Sequence, residues 1–250
     1  MHQLTVVIIT KNEERNIGRA LDSVSKIADE IIVVDSYSTD QTKAICEKKG
    51  AHFVQTEWKG YSATKNFANS LSKSAYIFSL DADEAVDKDL EKAILTEKSK
   101  GFSGIYSVNR LTNYCGKWIY HSGWYPDKKV RIFPKEKTKW VGEFVHEELE
   151  FSENFSMQEL PGHLEHYSYY SYTDHRARAD KYSMLTAQKM AAKGKSAGVL
   201  KPYISTIGRF ISMYIIKRGF LDGKMGWKIA TISAQSNIVK YKELRRLSRL

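Results

Sequence analysis

Four short strand-length runs, the first two dominated by β-branched residues, constrain this chain most: LTVVIIT (4–10), EIIVVDS (30–36), AHFVQTE (51–57) and AYIFSL (75–80). The first, second and fourth are apolar almost throughout, the pattern of strands buried on both faces. Between the four runs lie stretches of helical length. Ile17, Ala20, Leu21 and Val24 share one helical face in the first of these, with Asn12 as its N-cap and Glu13 and Glu14 in its first turn. TDQTKAICEKKG is a second helix with Asp40 near its start and Gly50 as its stop, and YSATKNFANSLSKS is a third. Strand–helix alternation of this kind predicts an α/β fold with a parallel sheet, helices on both faces and right-handed crossovers.

The pattern changes near residue 100. GIYSVNRLTNYCGKWIY, KKVRIFP and WVGEFVHEELEF read as strands that extend the sheet in antiparallel or mixed fashion. From about residue 171 the chain is helical again, with AAKGKSAG (191–198) as a candidate joint. This divides the chain into residues 1–170 and a helical part, 171–250. The division is also one of charge. Residues 171–250 hold 17 Lys/Arg and 4 Asp/Glu, a net of +13, whereas the first 170 residues are at −3. Such a tail implies an acidic partner, or else a solvated basic surface. Two cysteines, Cys46 and Cys115, are too few for a disulfide framework and fit no zinc spacing. The first ten residues lack a signal-peptide pattern, and no run of about 18 apolar residues exists to span a membrane.

In a parallel α/β sheet, ligands bind beyond the carboxyl ends of the strands. Three polar clusters fall there: TKNEE (10–14), DSYSTD (35–40) and DADE (81–84). Asp35 at a strand tip can accept from a nucleobase or ribose, or can shape the turn with Ser38 and Asp40. Asp81 and Asp83 point the same way if the backbone is extended, and can grip one hard cation such as Mg²⁺ or Mn²⁺. The competing reading is a strand end that runs into an acidic helix start at DEAVDKDLEKAI. Glu84 fits either a supporting partner or that helix's first turn.

Taken in order, VVIITKNEE, IIVVDSYSTD and ATKNFANSLSKSAYIFSLDADE resemble the GT-A glycosyltransferases of family 2, most of all the branch with lipopolysaccharide-core glucosyltransferases. KKVRIFP, KWVGEFVHEEL and YIIKRGFLDGKMGWKIA extend the resemblance over nearly the whole chain. It implies a GT-A sheet, mostly parallel and flanked by helices, in residues 1–170, holding a nucleotide sugar such as UDP-glucose. Thr10, Asn12 and Glu14 would line the nucleoside pocket, Asp35 would hold base or ribose, and Lys65 and Asn66 would stand near the diphosphate. Asp81 and Asp83 would be the D-x-D acids, with Asp83 the more direct ligand of Mn²⁺ or Mg²⁺. Ser36 stands where many members have a second acid, and Lys11 where they have an aromatic; a lysine stem can cover a base instead. An inverting transfer also needs a base for the acceptor hydroxyl. WVGEFVHEELEF offers Glu143, His146, Glu147 and Glu148, and the resemblance points to Glu147, with His146 as helper; an edge strand guarded by charges is the rival reading. His166 is a second candidate for metal or phosphate, or a structural histidine. Arg131 reaches toward phosphate or is a surface cation. Trp118, Trp124 and Tyr125 stack on an acceptor sugar or pack in a core.

The expected activity is therefore sugar transfer from a nucleotide sugar to a cell-envelope glycan or glycolipid such as lipopolysaccharide core. In the basic tail, Tyr203, Ile207, Ile211 and Ile215 recur at helical spacing beside Lys201, Arg209, Lys217 and Arg218. Amphipathic basic helices lie on anionic membrane surfaces, or pack against the catalytic part. A cytoplasmic protein, peripheral on the inner face of the cell membrane, follows. A homo-oligomer is left open. Nothing resembles a nucleic-acid module; a non-catalytic nucleotide- or nucleic-acid-binding protein on the same fold is the alternative class.

Overall fold

The computed structural model describes residues 3–142 and 147–248. The first half alternates as its sequence predicts: β1 (Leu4–Thr10), α1 (Ile17–Val24), β2 (Glu30–Asp35), α2 (Thr42–Lys48), β3 (His52–Gln55), α3 (Tyr61–Ser70) and β4 (Tyr76–Asp81). Then come β5 (Glu84–Val86), α4 (Lys88–Lys100), β6 (Ile105–Tyr114), β7 (Lys117–Ile119), β8 (Asp127–Pro134), β9 (Thr138–Val141), β10 (Glu148–Phe151) and β11 (Met157–Tyr169). Three helices close the chain: α5 (Tyr172–Ala192), α6 (Lys201–Ile211) and α7 (Gly223–Leu247). Two compact units result, one from residues 1–110 with 127–166 and the other from 111–126 with 167–250.

The main sheet runs β3-β2-β1-β4-β8-β6-β11-β5. It is parallel from β3 to β4 and antiparallel where β8 joins β4 and β6. Period-2 geometry sends β1 to both faces. Leu4, Val6 and Ile8 join one buried cluster with Ile17, Leu21 and Val24 of α1, whereas Val7 joins another with Ile32, Ala68 and Ile77. Each such buried aliphatic side chain contributes about 1.5–3 kcal/mol. Register then aligns the strand ends. Thr10 stands beside Asp35 on one flank of β1, and Ile9 beside Asp81 on the other.

DADE does not run straight into a helix. Glu84 opens β5, which pairs antiparallel with β11 through His166↔Glu84 and Leu164↔Val86. The helix starts only at Lys88, with the Asp87 carboxylate accepting from the Leu90 N–H at 2.8 Å. The other Asp87 oxygen accepts from the His163 N–H at 2.9 Å. Gly162 passes this turn with φ +95°, and a Cβ there would lie 2.2 Å from the Leu90 nitrogen. A side chain at 162 would therefore push β11 off α4. This fixed passage carries His166 to the D-x-D turn.

The second unit has an aromatic centre. Tyr114, Trp124, Tyr169 and His175 pack around one another, with Trp124 stacked on Tyr169 at 5.4 Å. Trp124 thus takes the core role of the two foreseen for it. Trp118 lies edge-on to Tyr167, and Tyr125 to Tyr120.

Candidate active site

The site is built at the carboxyl edge of the parallel strands in the first unit. There the loops after β1 and β2 clasp each other. The Thr39 N–H donates to the Asn12 side chain at 2.8 Å, and the Gln41 N–H to Glu14 at 2.9 Å. In return the Glu14 N–H donates to Asp40 at 3.0 Å. Asn12 adopts φ +54° and is not the N-cap of α1, which begins at Ile17. Its short polar side chain tolerates the left-handed region and closes the clasp. Asn12 and Glu14 therefore tie the loop after β1 to the loop after β2. Asp35 is buried and accepts from the Ser38 N–H at 2.8 Å and from Gln55 Nε2 at 3.0 Å. Beside it, the Thr10 and Ser36 hydroxyls are buried without a hydrogen-bond partner. Orphan hydroxyls cost free energy until something bonds them.

At the end of β4 the charges interlock. Arg131 of β8 sends Nη2 to Asp81 Oδ2 at 2.8 Å and to Glu84 Oε1 at 2.5 Å. Lys65 of α3 puts Nζ 3.4 Å from Asp81 and 3.5 Å from Glu147. Arg110 stands 3.5 Å from Glu84 and pairs with Asp127 at 2.7 Å. Burial pushes the Asp81 carboxyl up, but the Arg131 and Lys65 charges outweigh it and hold the group well below the usual carboxylate range. Burial pushes the Glu84 carboxyl up against the pull of Arg131, with the Asp81 charge adding to the rise. Arg131 itself is held firmly protonated: burial disfavours its charge, and the Asp81 and Glu84 carboxylates more than compensate. Glu84 also accepts from the Asp81 N–H at 3.0 Å, so it pins the backbone of the turn. Arg131 is thus no surface cation, and Glu84 is no first-turn acid.

Asp83 leaves this cluster and faces His166, whose Nε2 lies 3.2 Å from Oδ2. The other ring nitrogen of His166 is buried without a partner. One carboxylate and one imidazole are a donor set that suits Mn²⁺ or Mg²⁺ only if other oxygens complete the shell. Among the described residues no third His, Cys, Asp or Glu joins them. Asp81 already has two cations as neighbours.

A cavity of about 470 Å³ opens on the cluster, lined in part by Lys65, Asp81, Arg110, Lys129, Arg131 and Glu147. Its excess of cations favours a multiply charged anion. Asn66, the neighbour of Lys65, does not reach it. Its amide spans the Trp140 backbone, donating to the carbonyl at 2.8 Å and accepting from the N–H at 2.9 Å. Successive helix positions differ by about 100°, so two adjacent side chains of α3 serve two different places. WVGEFVHEELEF is not one strand: β9 ends at Val141, β10 starts at Glu148, and the two pair as a hairpin. Glu147 lies at the cavity, and Glu143 and His146 lie outside the described residues.

Residues 5–154 match the profile of Glycosyl transferase family 2. An uncharacterized glycosyltransferase of Rickettsia felis is 31% identical over 98% of this chain and 90% of its own length. The lipopolysaccharide core biosynthesis glycosyltransferase LpsC of Rhizobium meliloti is 26% identical over 92% of this chain and 90% of its own. Among solved structures, glucosyl-3-phosphoglycerate synthase from Mycobacterium tuberculosis, in complex with Mn²⁺, UDP and glucosyl-3-phosphoglycerate, is 23% identical with a TM-score of 0.38, covering 45% of this chain and 44% of that one.

Proposed function

The chain belongs to glycosyl transferase family 2, and from that premise we propose that it moves a sugar, with inversion, from a UDP-sugar to a hydroxyl of a cell-envelope glycan or glycolipid such as lipopolysaccharide core. One observation carries the reading: Lys65 and Arg131 converge on Asp81 at the end of β4, with the Asp83–His166 pair two residues farther on. The nucleoside sits between the clasped loops, where Thr10, Ser36 and Asp35 offer polar groups. Lys65 and Arg131 face the diphosphate. Asp83 and His166 would hold a divalent cation, which would supply positive charge to neutralise the diphosphate.

The acceptor oxygen attacks the anomeric carbon from the face opposite the diphosphate. The carbon–oxygen bond to the diphosphate breaks, and its electron pair leaves with the nucleotide. The acceptor proton passes to Glu147, which lines the same cavity as Asp81. Lys65 bridges Asp81 and Glu147, so the base is tied to the group that positions the donor.

The acceptor's membrane is met by the second unit. Leu200, Ile204, Ile207, Ile211 and Ile215 are all exposed, and their spacing places them along one side of α6 and its continuation. A π-turn over Ser212–Ile216 leaves Ile215 and Ile216 both exposed, and Phe220 and Leu221 follow. No Asp or Glu occurs between Lys181 and Leu221, whereas Lys201, Arg209, Lys217 and Arg218 do. An apolar ridge among cations and no acids complements an anionic bilayer. Among the described residues no helix is long and apolar enough to cross it.

The test is UDP release from UDP-glucose, UDP-galactose and UDP-N-acetylglucosamine, with Mn²⁺, with Mg²⁺ or with chelator. One donor is expected to turn over only with metal. Asp83→Ala should lower that rate by about 10²-fold or more, and Glu147→Gln should lower sugar transfer by about 10²–10⁴-fold while UDP still binds. Equal rates in chelator, or no binding of any UDP-sugar, would refute the proposal.

A further inference from the structure

A second cavity, of about 810 Å³, adjoins the charged one and has a different character. Trp58, Tyr61 and Trp140 give it three aromatic walls. Trp58 is 47% exposed and Tyr61 38%, and their rings meet edge to face at 4.7 Å. Leaving that much aromatic area in water is unfavourable unless a partner covers it. Two lysines, Lys59 and Lys139, also line the cavity, and no carboxylate does among the described residues.

The walls are built before any ligand arrives. Ser62 Oγ lies 2.9 Å from both the Val141 and Gly142 carbonyls, and Asn66 spans the Trp140 backbone. These bonds clamp the first turns of α3 to the end of β9. Gly60, at φ +91°, turns the Trp58 loop into α3 with no neighbour near enough to crowd a side chain, so backbone conformation alone demands glycine there. Preorganised walls lower the ordering cost of binding.

Trp140 lines both cavities, and Lys65 Nζ sits 4.4 Å from its ring centroid. A ligand in the aromatic cavity therefore lies next to the space that holds Glu147 and Asp81. Aromatic walls fit the apolar face of a pyranose ring, and the two lining lysines, Lys139 standing across from Glu150 in the β9–β10 pair, give the described lining a net positive charge that fits a negative substituent on it.

We propose that this cavity is the acceptor subsite, and that it takes a saccharide ring bearing an anionic group, a carboxylate or a phosphate. The proposal rests on the reading of the chain as a transferase and adds the acceptor's chemistry to it. Ring and charge are recognised separately, the ring by Trp58 and Tyr61 and the charge by Lys59 and Lys139.

Saturation-transfer NMR on the full chain tests it with glucose, glucuronic acid and glucose 6-phosphate as probes, each alone and with saturating UDP and Mn²⁺. Transfer to the ring protons of the two anionic sugars is expected, persisting with UDP present. A signal for only one of them identifies the charge as carboxylate or phosphate. Trp58→Ala should abolish the signal and Trp58→Phe restore part of it. The double variant Lys59→Ala/Lys139→Ala should weaken the anionic sugars about tenfold, to the level of glucose. No transfer with any sugar overturns the proposal, as does a signal that UDP displaces or that survives Trp58→Ala. Calorimetry of UDP with Mn²⁺ separates the two readings. A chain that binds UDP but no sugar keeps the transferase function and loses this subsite. A chain that binds no UDP loses the function, and the Trp58 variants still decide the cavity.

Discussion

Replacing Arg131 by Met probes what holds the end of β4. The guanidinium is 5% exposed, and its partner Glu84 is fully buried. An exposed ion pair contributes about 0–1 kcal/mol. Here the removal of one partner strands a buried carboxylate beside a second one, and such breaks cost about 3–5 kcal/mol. Arg110 stays 3.5 Å from Glu84 and compensates part of its charge, which places the loss near 3 kcal/mol. For a chain of this length each kcal/mol moves Tm by about 2–4 °C, so a fall of about 6–12 °C is expected. Urea unfolding followed by far-UV circular dichroism gives the free energy directly. The companion variant Glu84→Gln identifies the cause. In Arg131→Met/Glu84→Gln the buried charge has gone along with its partner, so the double variant should recover about 1.5 kcal/mol or more relative to the sum of the singles. If Arg131→Met costs under about 1 kcal/mol, or the two losses simply add, the cluster is not a coupled buried network and the reasoning fails.

Burial, reinforced by the Arg176 and Arg178 charges, lowers the His175 pKa to about 4, while Nδ1 stays within 2.9 Å of the Tyr114 hydroxyl. The folded state then stays neutral where the unfolded chain takes up a proton. Stability should fall as pH drops from about 6.5 to about 4, by about 3 kcal/mol, and level off below; urea midpoints at pH 7 and 4.5 that do not differ between wild type and His175→Gln would contradict this. For the α6 ridge, flotation with phosphatidylglycerol vesicles should carry the protein, high salt should weaken the binding, and Ile204→Ser/Ile207→Ser/Ile211→Ser should reduce it more than about tenfold. Equal binding by that triple variant, or a concentration-dependent dimer that buries the ridge, would remove the membrane from the account.

What was legible in the sequence was whatever has a short period. The four strands of the first half, the helices between them and the convergence of Thr10, Asp35 and Asp81 follow from local pattern plus the topology of parallel sheets. The roles of single side chains depended on partners far along the chain. Glu84 sits in a strand of three residues, too short to show a period, and its register is set by His166 in β11. Asn12 read as a helix cap because capping residues and left-handed turn residues are the same residue types. The aromatic cavity had a faint signal in Trp58 and Tyr61, flanking a glycine before α3. Its third wall, Trp140, is brought in by Asn66 and Ser62, and any reading of Lys65-Asn66 as a unit assigns Asn66 elsewhere.

These long-range dependences have one structural cause. Asp81 lies on a parallel strand, but every group that sets its charge state or fixes its turn comes from outside the β1–β4 strands: Lys65 from a helix, Arg131 and Arg110 from antiparallel strands, Glu84 through β11. The parallel strand β4 positions Asp81, α3 supplies Lys65, and the antiparallel strands supply Arg131 and Arg110. Gathering four carboxylates, Asp81, Glu84, Asp127 and Glu147, into one charge cluster would be self-repulsive without Lys65, Arg110 and Arg131. Asp83 is the acid of this turn that those cations leave alone; among the described residues it pairs with His166. The proposed cation therefore has a reason to bind at Asp83 rather than Asp81, and the three acids of DADE divide their work by partner: Asp81 with Lys65 and Arg131, Glu84 with Arg131 and Arg110, and Asp83 with His166.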